Sequence, residues 1–158
     1  MNATEDTQIP IGPISSPTMM DAVAARLREE LTLLAAAWHR EGAHLGSLVE
    51  LLASVYKAGH TRLAMALHEL GWRDRRTPIL EPVVAELHAA RSRRRRRSFD
   101  IGDTRLAVAA LHQALALEPA FGAEFRRSAG LTGACAVDPT PQRRWWIRTM
   151  AERLGLPE

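Results

Sequence analysis

An all-α fold, a compact bundle of about six to seven short helices, follows from three features of this sequence. Apolar residues recur at helical spacing in several separate stretches. No stretch alternates at period two with β-branched residues, as a half-buried strand would. Glycines and prolines punctuate the periodic stretches at short intervals, in the positions of helix stops and starts. A chain of 158 residues suits one domain, and burying roughly 70% of its unfolded surface gives a core without staples.

Residues 1–17 hold Pro10, Pro13, Pro17 and Gly12 among small polar residues, with no sustained period, so a disordered N-terminal arm is expected there. A single helical domain is expected over 18–158. Thr18 opens the first helix as its cap, with Asp21 three residues on. Leu27, Leu31, Leu34 and Trp38 form its apolar face, and Gly42 ends it. Ser47 and Glu50 read as a capping box for the second helix, whose face is Leu48, Leu51, Leu52, Val55 and Tyr56 and whose stop is Gly59. Thr61 caps a short third helix, packed through Leu63, Ala66, Leu67 and Leu70 and stopped at Gly71.

Pro82 suits the first turn of the fourth helix, where its missing N–H costs little. Val83, Val84, Leu87 and Ala90 give that helix its apolar side. Asp103 or Thr104 begins the fifth, packed through Leu106, Ala110, Leu111, Ala114, Leu115 and Leu117 and broken by Pro119. A short sixth helix carries Phe121 and Phe125 as far as Gly130, and a loop over 131–140 holds Cys135. Thr140 and Pro141 open the last helix by the cap-then-proline rule; its face is Ile147, Met150, Ala151 and Leu154.

The charge is polarised. Residues 1–56 carry three arginines against seven acids, a net of −4. Residues 57–105 carry twelve cations against six acids, a net of +6. All cations but Lys57 are arginines, whose flat fork of donors grips phosphate better than a point charge. The densest stretch is RSRRRRRSFD, with Arg91 followed by Arg93, Arg94, Arg95, Arg96 and Arg97. Consecutive helical residues point about 100° apart, so five in a row surround the helix and cannot all lie on a core. The run is solvated or partnered; one variant makes it a hinge around 91–102. Arg62, Arg73, Arg75 and Arg76 lie nearby in sequence, and Arg143, Arg144 and Arg148 interleave with Trp145 and Trp146 on the last helix. Basic residues among aromatics are a nucleic-acid footprint, because indoles stack on unpaired bases.

The segment LGSLVELLASVYKAGHTRLAMALHELGW, residues 45–72, resembles a helix-turn-helix of small DNA-binding regulators. It departs from the common pattern at Val55, where a small residue is usual. The resemblance implies that the third helix reads DNA through His60, Thr61, Arg62, Met65 and His68; a plain helical hairpin fits as well. AVAALHQALALEP, residues 107–119, is similar to the second helix of a tetratricopeptide repeat at Ala107, Leu111, Ala114 and Pro119, but its partner helix is replaced by the arginine run. A simple buried helix is the alternative.

The six histidines form no HExxH, one cysteine allows no CxxC, and no phosphate-binding glycine loop or GxSxG is present, so neither metal nor cofactor nor enzymatic activity is expected. The longest strongly apolar stretch, about Leu31 to Trp38, is far short of the roughly 20 residues of a membrane span. The opening MNATEDTQIP lacks a signal-peptide pattern, so a cytoplasmic location is expected. The functional expectation is a non-enzymatic protein gripping the phosphate backbone of DNA or RNA through Arg91, Arg93–Arg97, Arg62, Arg73, Arg75, Arg76, Arg143, Arg144 and Arg148. It would be a small regulator or a helical subunit of a nucleoprotein complex. The alternative is a helical adaptor, or a homo-oligomer, whose arginine run meets an acidic partner.

Overall fold

The computed structural model describes residues 16–73, 78–96 and 98–158, with side chains from Met19 onward. These residues form seven α-helices: α1 (Ser16–Arg40), α2 (Leu45–Val55), α3 (Thr61–Glu69), α4 (Glu81–Arg95), α5 (Ile101–Ser128), α6 (Gly133–Val137) and α7 (Thr140–Leu154). One wide turn, Tyr56–His60, joins α2 to α3, and no strand occurs among the described residues. The protein is all-α. The helices are not uniformly short, because α1 has 25 residues and α5 has 28.

The core forms where α2 packs between α1, α5 and α7, with α4 closing on α5. Trp38, Leu48, Val49, Leu52, Val83, Leu87, Leu111, Leu115 and Leu154 fill it. The apolar faces read from the sequence hold for α1, α2, α4 and α7. They fail in part elsewhere: Ala66, Leu70, Leu106 and Ala110 are exposed, and α5 meets the core through Val108, Leu111 and Leu115. In α3 and α5 apolar residues fall on more than one side, so periodicity alone leaves the buried side open.

Several expected helix starts are corrected. Helix α1 begins at Ser16, which puts Thr18 inside its first turn rather than at the cap. The arm expected over 1–17 lies outside the described residues up to 15. Helix α2 begins at Leu45, and the Ser47–Glu50 box does not form: Ser47 Oγ donates back to the His44 carbonyl at 2.9 Å, and Glu50 turns to Arg143 at 3.1 Å. Helix α5 begins at Ile101, capped by Asp100, whose Oδ1 accepts from the Gly102 amide at 2.8 Å. Helix α7 does begin at Thr140, as expected, with the Thr140 amide donating to Asp138 Oδ1 at 2.9 Å. The loop expected over 131–140 contains the short α6.

Thr61 is not a cap either. It is buried, and its hydroxyl donates to the Ala116 carbonyl of α5 at 2.7 Å. That bond bears on the largest correction: Pro119 does not break the fifth helix, and α5 runs through it to Ser128. A proline inside a helix removes one N–H and crowds the carbonyl four residues back. Thr61 brings a donor from another helix to that disturbed turn.

A second tie crosses the same turn. Arg126, only 5% exposed, donates through Nη1 to both carboxylate oxygens of Glu118 at 2.8 and 2.9 Å. Glu118 stands eight residues back, two helical turns away. Its carboxylate lies over Gly122, where an added Cβ would come within 2.2 Å of it. Arg126 also donates from Nε to the Ala136 carbonyl at 2.7 Å and from Nη1 to Gln142 at 2.8 Å. One guanidinium thus pins α5, α6 and the start of α7 together.

Tyr56 lies buried against His112, ring centroids 5.5 Å apart, with its hydroxyl on the imidazole Nε2. Burial pushes the phenol up to about 12 and pushes the imidazole below the ordinary histidine value. A neutral His112 accepts from the Tyr56 hydroxyl; a protonated one has no lone pair for it. On acidification the unfolded chain takes up the His112 proton first, from about pH 6.5, so stability is full above that pH and falls below it. On the alkaline side the unfolded chain releases the Tyr56 proton first, so about 2–3 kcal/mol is lost between roughly pH 10 and 12. Urea midpoints taken from pH 5 to 7.5 should drop toward acid, and His112→Gln should remove most of the drop. An unchanged acid limb in the variant would assign it to other groups.

Candidate nucleic-acid interface

The arginine run closes α4. Pro82 at the first turn starts this helix, Val83, Val84 and Leu87 bury one side of it, and Arg93, Arg94 and Arg95 form its exposed last turn. The cations sit at the negative end of the helix dipole, which favours them there. Arg96 stops the helix in the left-handed region at φ +50°, a conformation that costs a non-glycine residue roughly 1–2 kcal/mol. Arg97 lies outside the described residues, as do Arg75 and Arg76.

Arg91 does not belong to this solvated group. It is only 8% exposed, stacked over the Phe99 ring at 4.0 Å and ion-paired with Asp103 at 3.4 Å. It fastens the end of α4 to the start of α5, because residue 91 falls on the α4 stripe that buries Val84 and Leu87. Its position within the sequence run hid this, since the stripe continues one turn into the charged segment.

Two of the remaining arginines lie on α7, the helix whose end meets this tip. The Arg95 guanidinium folds over Gly155 at the end of α7, its Nε 2.4 Å from where a Cβ would stand, so the missing side chain makes room for it. Arg94 and Arg95 thereby face the last turn of α7 across a cleft of about 500 Å³, which Glu152 and Glu158 also line. On α7 itself Arg144 and Arg148 are exposed and one turn apart, about 6 Å along the axis, on the stripe that leads to Gly155. Trp145 beside them is 50% exposed, while Trp146 is partly buried against the core. The tip therefore presents Arg93, Arg94, Arg95 and Arg96 beside Gly155, with Arg148 about 10 Å and Arg144 about 16 Å further back along α7.

The others go elsewhere. Arg143 is mostly covered and ion-paired with Glu50 at 3.1 Å, tying α7 to α2. Arg62 is exposed on α3, and Arg73 folds back onto the end of α3, donating to the His68 and Trp72 carbonyls at 2.9 and 2.7 Å. Helix α3 packs chiefly on α1 and α5, so these two are carried by different elements from the tip. Of the residues that the helix-turn-helix resemblance assigns to reading DNA, His60 and Thr61 are buried, with Thr61 held against α5, Met65 is half-buried, and Arg62 and His68 are exposed.

The face of α1 formed by Leu31, Leu34 and Trp38 is buried and offers nothing to a partner. Cys135 is exposed, and among the described residues no group of three His, Cys, Asp or Glu side chains is placed to hold a metal ion. Sequence reasoning passed over Arg126, whose signal was the spacing Glu118, Gly122, Arg126 on one helical stripe. The chain matches no protein-family model, and no characterised protein and no solved structure is detectably similar to it. Fold and site together define a class: an all-α protein with an exposed arginine tip where α4 meets the end of α7.

Proposed function

We propose that this is a non-enzymatic, nucleic-acid-binding protein that grips the phosphate backbone through Arg93, Arg94, Arg95 and Arg96, extended along α7 by Arg144 and Arg148. The observation that carries the reading is the tip itself: four consecutive exposed arginines, Arg93 to Arg96, of which Arg93 also pairs with Glu86 at 3.6 Å, with a second exposed arginine pair further back on the helix that meets the tip. Arginines of this kind position a backbone and do not read bases, so weak sequence preference is expected. Trp145 offers a stacking surface to an unpaired base, which favours single strands over duplex. Glu152 and Glu158 in the cleft weaken the grip there and leave the outer arginines as its stronger part.

Fluorescence anisotropy tests this with labelled duplex DNA, single-stranded DNA and RNA at about 50 and 200 mM salt. Four phosphate contacts imply a fall in duplex affinity of roughly a hundredfold across that range. Changing residues 93–97 to Gln should remove most of the affinity and most of the salt slope while the chain stays folded. Arg91→Gln should do the reverse, lowering the unfolding midpoint and keeping the slope. Binding that survives the 93–97 change, or no binding to any of the three at low salt, would sink the proposal.

A helical adaptor is the second reading. What favours it is the set of exposed apolar side chains where α5, α6 and α7 converge, including Phe125, Leu131, Val137 and Trp145. Capture of an acidic protein that the 93–97 Gln variant no longer retains would support it over nucleic acid.

A further inference from the structure

Helix α5 is apolar on two sides, and the core covers one of them. Between Arg105 and Glu124 the single charged residue is Glu118, which points inward to Arg126. The stretch is long and apolar enough to cross a membrane by length and composition, a property not apparent from the Leu31–Trp38 segment. Yet only 22% of it is buried. Leu106 is 72% exposed, Ala109, Ala110 and Gln113 are exposed, and Leu117 and Phe121 continue the same stripe. Scattered exposed leucines are ordinary; an uncharged stripe some 20 Å long on one helix is not.

We infer that this outer face of α5 is the contact between two copies of the chain, packed antiparallel across it. The charges at its two ends choose the partner and the direction. Asp103 and Arg105 flank one end; Glu124 and Arg127 flank the other. All four are more than half exposed, and the Glu124–Arg127 pair is held loosely at 3.6 Å. With the helices antiparallel and crossing near Gln113, Leu106 meets Phe121 of the second copy and Ala110 meets Leu117. Arg105 then comes within one turn of Glu124 of the second copy, on the same flank of the contact. A parallel pairing would set Arg105 on Arg105 and Glu124 on Glu124, which like-charge repulsion opposes. Near the crossing the small Ala110 takes the large Leu117, which lets the helices approach there, while Leu106 and Phe121 pack apolar on apolar at the ends. Insertion into a bilayer would instead require Val108, Leu111 and Leu115 to leave the core they fill. The inference does not depend on nucleic-acid binding.

One helix crossing falls below the roughly 800 Å² per partner of a stable complex, so micromolar association is expected. Sedimentation equilibrium of the full chain from about 5 to 500 μM should show a monomer–dimer equilibrium. The doubly substituted Leu106→Glu, Ala110→Glu chain should be monomeric throughout with unchanged helix content, since both side chains are exposed. Arg105→Glu should raise the dimer dissociation constant roughly tenfold, as two ion pairs become two repulsions. Adding Glu124→Arg to it should restore the dimer, a rescue that a purely local role of Arg105 with Glu81 would not give. A monomer at every concentration overturns the inference, as does a dimer indifferent to the double glutamate change. Failure of the rescue overturns the antiparallel register. A monomer that binds neutral phosphatidylcholine vesicles through Leu106 and Ala110 makes the face a membrane surface and overturns it as well.

Discussion

Arg126→Met is expected to cost about 3–5 kcal/mol and lower the melting temperature by roughly 10 °C. The methionine fills much of the space but leaves the Glu118 carboxylate covered and unpaired, and it strips donors from Ala136 and Gln142. An uncompensated charge in a low dielectric is what makes breaking such a pair costlier than never having had it. Gly122 gives the sharper test. Alanine is the better helix former by about 1 kcal/mol, so Gly122→Ala ought to stabilise an ordinary helix. Here the new methyl would displace the Glu118 carboxylate from Arg126, so the change is expected to destabilise. In a Glu118→Ala background the obstruction is gone, and Gly122→Ala should then stabilise by about 0.5–1 kcal/mol. Urea unfolding of the four chains reads the sign in each background. The same sign in both would mean that the ion pair is not what keeps residue 122 a glycine. Because α7 carries Arg144, Trp145 and Arg148, this network also fixes where those residues stand.

Trp38→Ala is the second large effect, about 3–5 kcal/mol. Trp38 is 1% exposed, and its indole N–H donates to the His44 carbonyl at 2.8 Å, where the chain turns from α1 into α2. The substitution opens a cavity where α1 meets the rest of the core and frees that turn. Trp38→Phe keeps a ring but loses the bond, and about 1 kcal/mol is expected from that alone. Equilibrium unfolding by circular dichroism separates the two contributions. A Phe variant as unstable as the Ala variant would put the indole N–H, not the packing, in charge of the α1–α2 turn.

The fold class was legible because helical spacing is a local property: Leu27, Leu31, Leu34 and Trp38 point one way whatever surrounds them. Local breakers were less legible. Pro119 reads as a stop from the chain alone, yet in the fold the helix continues, with Thr61 of α3 donating to the Ala116 carbonyl beside it and Arg126, further along the same helix, pairing with Glu118. The cap residues Ser47 and Thr61 had the right chemistry at the wrong address, since each hydroxyl found a carbonyl instead of an amide. The arginine tip was partly legible. Five consecutive arginines cannot lie on a core, but whether a sixth two residues earlier is solvated depends on which stripe of α4 is covered.

The sequence by itself determined that the chain is helical, that its charge is polarised, and that residues 93–97 include side chains no core can hold. These follow from helix geometry and from the cost of burying charge, which act within a few residues. Only the tertiary structure decided that Arg91 and Arg143 are ties, that Arg95 reaches Gly155 beside the stripe of Arg144 and Arg148, and that α5 keeps one apolar face inside and another outside. Those outcomes depend on which helix lies against which, and that is set by packing between residues up to a hundred positions apart.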